Sequence, residues 1–457
     1  MITDVSQPTI SVKNIVLQPL RTDLNQDTED YWQERYGIKI NEIGKDPLLW
    51  YNGIYIPPYL IDSLLLCSNE FVPSLKVVFK DELAEMINTG FALDNTVISL
   101  YIDSRTKDNN TSPVLRPIRM DFKILDFNYD DDENLFYVQG IADISGLFLQ
   151  NIKSYPSMTS FQCLNQVATD MNLGFRSNVK GTKDSMTWLN LSLENHAFIK
   201  DVTKRAYKSD GSFFTSFVDF YYSLNLIDVE QAMKESIEQK GLLTASDEGI
   251  DEADTQIVDD LYIVSSKHYN NRYNNVYESY EVMNQSTKIS IDNGYTTIVH
   301  YYDTTGNWDQ RAGTFLRFNL QTNTDNKGIV LKSFPNDTTA NGFYNSNVKR
   351  VYIQPLDVSN THQNFNYALV LNEYNNNELD KIGIKVTMRT ANFNFYKYQK
   401  IKVVVMNINA GQTEVINERL TGGWLIREIN FTYSPEEGLK QELEMIKREL
   451  SAGDYTF

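Results

Sequence analysis

The chain has 457 residues, 41% hydrophobic and 22% charged, an ordinary balance for packed globular structure and long enough for two or three domains. Its 42 Lys and Arg against 60 Asp and Glu leave a net charge of −18, which excludes a general attraction to phosphate backbones or anionic membranes. Two cysteines make no disulfide framework, no signal peptide is visible, and the apolar runs fall short of a membrane span, so synthesis in a cytoplasm is expected.

Residues 1–50 read as an N-terminal extension. The stretch is polar and acidic, with one short helix expected at "DTEDYWQERY" and Thr28 as its cap. Residues 51–150 read as a first β module. "YNGIYIPP", "LKVVFKD" and "NTVISLYIDSR" are strand candidates. In "RMDFKILDFNY", Met120, Phe122, Ile124 and Phe127 nearly keep period two; "YDDDEN" supplies a turn and "LFYVQGIADI" returns.

Residues 151–235 change to a helical region. Phe161, Leu164, Ala168 and Met171 keep helical spacing, with Thr159 or Ser160 as cap and Gly174 as stop. Asn195 is expected to cap a second helix bearing Phe198, Ile199, Val202 and Ala206. In "DGSFFTSFVDFYYSLNLIDVEQAM", Phe213, Phe217, Phe220, Tyr221 and Leu224 step like a helix face, then "SLNLIDV" steps like a strand. The stretch is expected to begin as a helix and end as a strand, although one long strand would also satisfy it. Residues 236–265 are an acidic linker, expected to be irregular over 240–256.

Residues 266–457 return to β character as a second module with insertions. Strands are expected at "YTTIVHYYD", "GTFLRFNLQT", "GIVLKSF", "RVYIQPLDV", "YALVLNEY", "IGIKVTMRT", "QKIKVVVMNI" and "GGWLIREINFTY", with turns at "DNG", "TDNKG", "NNNELD" and "NAGQ". In "SPEEGLKQELEMIKREL" local signals conflict. Ser434 and Glu437 form a capping box, and Leu439, Leu443, Ile446 and Leu450 share a helix face. Yet Leu439, Leu443 and Met445 also share one face of a strand.

No chemical constellation stands out. His196, His268, His300 and His362 share no metal-ligand spacing, and Cys67 and Cys163 lie in apolar contexts. "GFRSNVKGTKD" has the wrong glycine spacing for a phosphate loop. "YDDDEN" and "DEGIDEAD" lack the rhythm of a calcium loop, and "TKDSMTWL" and "KDVTKRAYK" are mixed in sign. Tyr269, Tyr273, Tyr277 and Tyr280 suit either an interface or an irregular sheet edge. The expectation is a chain that is not an enzyme, with no catalytic, cofactor-binding or metal-binding residue and no cofactor.

The order of parts, together with "TSFQCLNQVATDMNLGF", "TWLNLSLENHAFIKDVTKRAYKSDGSFFTSFVDFYYSLNLIDVEQ" and "LTGGWLIREINFTYSPEEGLKQELEMIKREL", resembles the central baseplate hub of contractile-tailed phages. That family includes late control D tail proteins and the spike proteins of type VI secretion. The resemblance covers about half of the chain. It implies an α+β, mainly β fold, with two tube-like β-barrel modules flanking a small helical region. It also implies a structural homotrimer whose six modules ring the tail axis and adapt a sixfold tube to a threefold spike. The implied partners are tail tube, central spike and baseplate wedge proteins, in the virion. DNA would pass through the lumen without specific binding, and no segment would span a membrane. The Phe213, Phe217, Phe220 and Tyr221 face would pack beneath the first module. After "REINFTY" it places a strand, which makes "SPEEG" a hairpin turn with Gly438 at positive φ. The alternative is a carbohydrate- or receptor-binding β protein of a phage tail, drawn from the 28 tyrosines and the many asparagines. A glycan hydrolase is the weakest reading, since no carboxylate pair stands out.

Overall fold

A computed structural model describes residues 46–81, 96–102, 118–235, 276–285, 288 and 361–448, short breaks aside, with separate strands at 3–6, 262–265, 296–299, 308–309, 314–315, 329–332 and 347–350. The helix expected at Thr28 and the acidic run 240–256 lie outside these residues.

Strand β1 (Thr3–Ser6) belongs to a small sheet described below. The first module is a seven-strand antiparallel sheet built from β2 (Leu48–Tyr51), β3 (Ile54–Ile56), β4 (Ile61–Cys67), β5 (Ser74–Lys80), β6 (Val97–Ile102), β7 (Ile118–Asp130) and β8 (Leu135–Ala142). Its spatial order is β4-β5-β8-β7-β6-β2-β3. Period two drives it: in β5, Leu75, Val77 and Phe79 are buried, whereas Lys76 and Lys80 face water. Phe79 stacks on Phe136 at 5.4 Å, and Tyr51 leans on both rings at 6.0 and 6.3 Å. Burial of each Phe is worth roughly 1.5–3 kcal/mol. β7 and β8 approach closely at Gly140, where a Cβ would stand 3.0 Å from that of Phe122.

Two helices are where spacing predicts them. α1 (Ser160–Asp170) begins at Thr159, whose hydroxyl accepts from the Gln162 N–H while Gln162 accepts from the Thr159 N–H. Cys163, Leu164, Val167 and Ala168 line its buried face. α2 (Asn195–Lys204) has Glu194 at the cap position. Asn195 is its first residue and donates to the Gly146 carbonyl, a correction to the expected cap. Besides the strand expected at "SLNLIDV", which forms as Ser223–Asp228, the region holds strands that spacing did not single out. β9 (Gln150–Met158) pairs with β11 (Met186–Glu194) as a ribbon. β10 (Gly174–Ser177) joins β12 (Phe214–Val218) and β13 (Ser223–Asp228) in the sheet β1-β10-β13-β12.

The aromatic stretch is therefore a hairpin, β12 to β13, and its first half is not a helix. Asp219 decides this. Its carboxylate accepts from the Tyr221 and Ser223 N–H groups at 2.9 and 3.0 Å and from Arg176 and Asn225 at 3.2 and 3.1 Å. Tyr222 takes φ +56 to close the turn. A short helix α3 (Val229–Lys234) follows, capped by Asp228. The expected packing also changes. Phe213 and Phe217 pack with Leu379, Tyr398, Leu425 and Ile446 of the second module, not beneath the first. Tyr222 is the ring tied to the first module, accepting from the Asp121 N–H at 2.8 Å.

The second module contains β14 (Tyr262–Ser265), β15 (Val276–Asn284), the short strands β16 (Thr296–Val299), β17 (Trp308–Asp309), β18 (Thr314–Phe315), β19 (Ile329–Lys332) and β20 (Asn347–Arg350), helix α4 (Phe365–Leu379), and then β21 (Ile382–Met388), β22 (Lys400–Val403), β23 (Met406–Ile408), β24 (Glu414–Ile416), β25 (Gly422–Ser434) and β26 (Gly438–Lys447). Six strands close on themselves in the order β22-β14-β15-β21-β26-β25, with β22 pairing back on β25. Closure removes the edges within this ring.

"YALVLNEY", expected as a strand, lies in α4, and "NNNELD", expected as a turn, forms its end. The reason is tertiary. The buried Asn372 amide donates to the Lys204 and Ala206 carbonyls at and just past the end of α2, each at 2.9 Å, and Asn376 donates to the Phe214 carbonyl of β12 at 3.0 Å. The first two bonds satisfy carbonyls that a helix end leaves open. "SPEEG" is a hairpin turn, as the resemblance implied: Ser434 faces Gly438, whose φ is +70.

One strand joins the modules. β25 is thirteen residues long. Its first residues pair with β22, while Asn430–Tyr433 pair with Cys67–Leu64 of β4. The result is one continuous thirteen-strand sheet. The resemblance implied a mainly β chain with two curled modules around a small helical region, and that is the architecture observed.

Candidate interaction surfaces

The ribbon β9–β11 reverses the usual alternation. Tyr155, Trp188 and Asn190 point inward; Tyr155 stacks on Phe198 at 5.6 Å, and the Trp188 indole donates to the Met158 carbonyl at 3.0 Å. Its large aliphatic residues point outward. Ile152 is 79% exposed and Leu191, its cross-strand partner, 71%; Leu189 is 49% exposed. Leu149 and Phe148 extend the same apolar surface at the ribbon's end. An apolar cluster of this kind marks a place where something else packs.

A second surface is an edge. β3 pairs with β2 and, among the described residues, with no other strand, and Ile54 on it is exposed. A strand at the end of a sheet is where another strand can add.

A third is a cleft of about 400 Å³ where both modules meet the helical region. Phe71 comes from the first module, Lys200 and Phe217 from the helical region, and Lys397, Tyr398 and Arg427 from the second. The Val218 N–H donates to the Phe71 carbonyl at 2.7 Å and holds β12 at the cleft wall. Lys200 lies over the Phe71 ring at 5.6 Å, and Lys397 over Phe217 at 4.7 Å. Lys397 is 8% exposed and donates to the Ser68 carbonyl. Burial, reinforced by nearby Arg427, pushes its pKa down to about 7, with Glu428 opposing. Arg427 donates to the Tyr398 hydroxyl and stands 3.7 Å from Asp380.

The residues singled out by sequence scatter. His196 lines the cleft, between Phe71 at 4.9 Å and Phe148 at 5.6 Å. His362 is buried elsewhere, with Nε2 3.1 Å from the Arg205 carbonyl, and burial pushes its pKa down to about 4. His268, His300, Tyr269 and Tyr273 lie outside the described residues. Tyr277 is buried within β15, edge-on to Tyr280 at 5.8 Å. Both cysteines are buried and unbonded to each other, and burial raises the Cys163 thiol pKa far above its usual range. Asp130 caps the "YDDDEN" turn by accepting from the Asp132 N–H. In "KDVTKRAYK", Lys204, Arg205 and Lys208 each face a carboxylate, while Lys200 faces none among the described residues, and nothing in the sequence marks its place in the cleft. Among the described residues no three His, Cys, Asp or Glu side chains gather as a metal site, and no helix is long and apolar enough to cross a membrane.

No family model matches the chain, and no curated protein does. Solved structures do. The tail protein from Neisseria meningitidis MC58 matches with a TM-score of 0.50 at 9% identity, over 88% of this chain and 97% of that one. The chain shares the fold of that protein. The 43 kDa tail protein of prophage MuSo2 from Shewanella oneidensis has a TM-score of 0.49 at 8% identity, over 89% and 97%. The Escherichia coli c3393 protein, described as a component of the type VI secretion system, has a TM-score of 0.39 at 9% identity, over 87% and 76%. The fold shared with the Neisseria meningitidis tail protein agrees with the resemblance seen in sequence.

Proposed function

We propose that the chain is a structural, non-catalytic subunit of a phage-tail baseplate hub. Three copies close into a ring of six β modules between a sixfold tail tube and a threefold spike, in the virion. Residues 51–150 and 266–457 supply the ring modules, and 151–235 the region beneath them. The observation that carries this reading is the β4–β25 seam. It joins two curled sheets edge to edge within one chain, and β3, which among the described residues pairs only with β2, would serve a contact between chains. A head-to-tail interface that closes by rotation forms such a ring. The ribbon's exposed Ile152 and Leu191 give the assembly apolar surface to bury.

Light scattering on the purified chain tests this. About three times the chain mass is expected, alone or on mixing with tube and spike proteins. A monomer at tens of micromolar that associates with neither overturns the reading, and glycan binding by that monomer would favour a receptor-binding protein.

A further inference from the structure

The cleft between the modules holds a buried lysine with no carboxylate partner among the described residues. Lys397 sits at its floor, 8% exposed, with the Ser68 carbonyl as its hydrogen-bond acceptor and the Phe217 ring against it. No carboxylate pairs with Lys397 or Lys200 among the described residues, and none of the cleft-lining residues is acidic. Other cations do meet carboxylates: Lys208 meets Asp228, Arg176 meets Asp219 and Lys385 meets Glu442. Burying a cation is costly, and either a lowered pKa or an anion relieves the cost. In a chain of net charge −18, a cleft that gathers Lys200, Lys397 and Arg427 with no acidic residue in its lining favours an anionic ligand.

We propose that this cleft binds a carboxylate side chain of an acidic, partly apolar peptide segment presented by a protein partner. Three features select that class. The volume, about 400 Å³, admits a few side chains and not a duplex. Phe71, Phe217 and Tyr398 wall it with aromatic surface, which suits a carboxylate with apolar neighbours. The overall negative charge repels a polyanion such as DNA far more than it repels one carboxylate. The inference is independent of ring closure, because one chain supplies every wall.

Binding should be coupled to protonation. Lys397 is held near neutrality by burial and by Arg427, with Glu428 in opposition; Lys200 and His196 of α2 share the cleft, with Tyr398 beside Arg427. An arriving carboxylate favours the charged ammonium, so at pH 8 the protein takes up a proton as it binds.

The experiment is calorimetric titration of the full chain at pH 8, in two buffers of different ionisation enthalpy. The probes are acetyl-Phe-Glu-Leu-Asp-amide, its Gln and Asn isostere, and a 20-nucleotide single-stranded DNA. Expected are binding of the acidic peptide, at least tenfold weaker binding of the isostere and the DNA, and proton uptake with the acidic peptide alone. Lys397→Met should abolish the uptake and weaken binding at least tenfold. Lys200→Met, at the exposed rim where folding is not at stake, should weaken it a few-fold and retain the uptake. Equal affinity for peptide and isostere, tighter binding of DNA, no binding at millimolar peptide, or an unaffected Lys200→Met would each overturn the proposal.

Discussion

The two β modules solve the edge problem differently. The first is an antiparallel sheet of local hairpins, β2–β3, β4–β5 and β7–β8, and among the described residues it ends at β3. The second closes through strands distant in sequence, with β14 paired parallel to both β15 and β22. Hairpins need only a turn, whereas parallel neighbours need a long connection. An open module is easy to write locally and leaves a docking edge. A closed one depends on global packing and leaves none. The seam β4–β25 couples the two styles into one sheet.

The largest expected effect tests that coupling. Phe431 sits in the seam, 1% exposed, stacked on Phe393 at 5.1 Å and edge-on to Phe220 at 5.8 Å. Phe431→Ala should cost about 3–5 kcal/mol, the range for a buried Phe. If the modules are one cooperative unit, calorimetry shows a single transition at lower temperature. Two separate transitions would break the comparison in favour of independent folding.

Acid should act through His362. Its folded pKa is about 4, below the usual 6.5, so the unfolded chain binds a proton first as pH falls. The stabilisation is full above about pH 6.5 and is lost toward pH 4, by about 2–4 kcal/mol at 1.36 kcal/mol per unit. Wild type minus His362→Phe should show this slope in denaturant titrations. A parallel pH profile for the two proteins would refute it.

The smallest effect concerns the turn that closes the second module. A Cβ at Gly438 meets nothing within 4 Å, so Gly438→Ala adds only the strain of φ +70. The expected loss is about 1–2 kcal/mol. Hydrogen exchange should weaken in β25 and β26 while the β7–β8 hairpin keeps its protection.

What was legible followed locality. The β7–β8 hairpin, α1 and α2 could be read because turn, cap and period sit side by side in the chain. The aromatic stretch misled because Phe213, Phe217 and Phe220 suit a helix face, and only Asp219, bonded to Arg176 across the sheet, marks the turn. α4 was hidden because "YALVLNEY" reads as a strand and "NNNELD" as a turn until Lys204 at the end of α2 and Phe214 of β12 present carbonyls to Asn372 and Asn376. The ribbon's leucines were visible, but their outward facing was not. The cleft could not be read at all: Phe71, Lys200, Phe217, Lys397 and Arg427 meet only after both modules and the region between them are in place.

The shared strand also fixes an order of events during synthesis. Cys67 leaves the ribosome roughly 360 residues before Asn430, its partner in the seam. At the usual 5–20 residues per second, β4 waits about 20–70 s for β25. For that time the nascent first module carries two bare edges, β3 and β4, and two nascent chains on one message can pair through them. Translation speed through the second half of the chain thus sets how long this exposure lasts, and slowing it should raise the fraction of chains lost to aggregation.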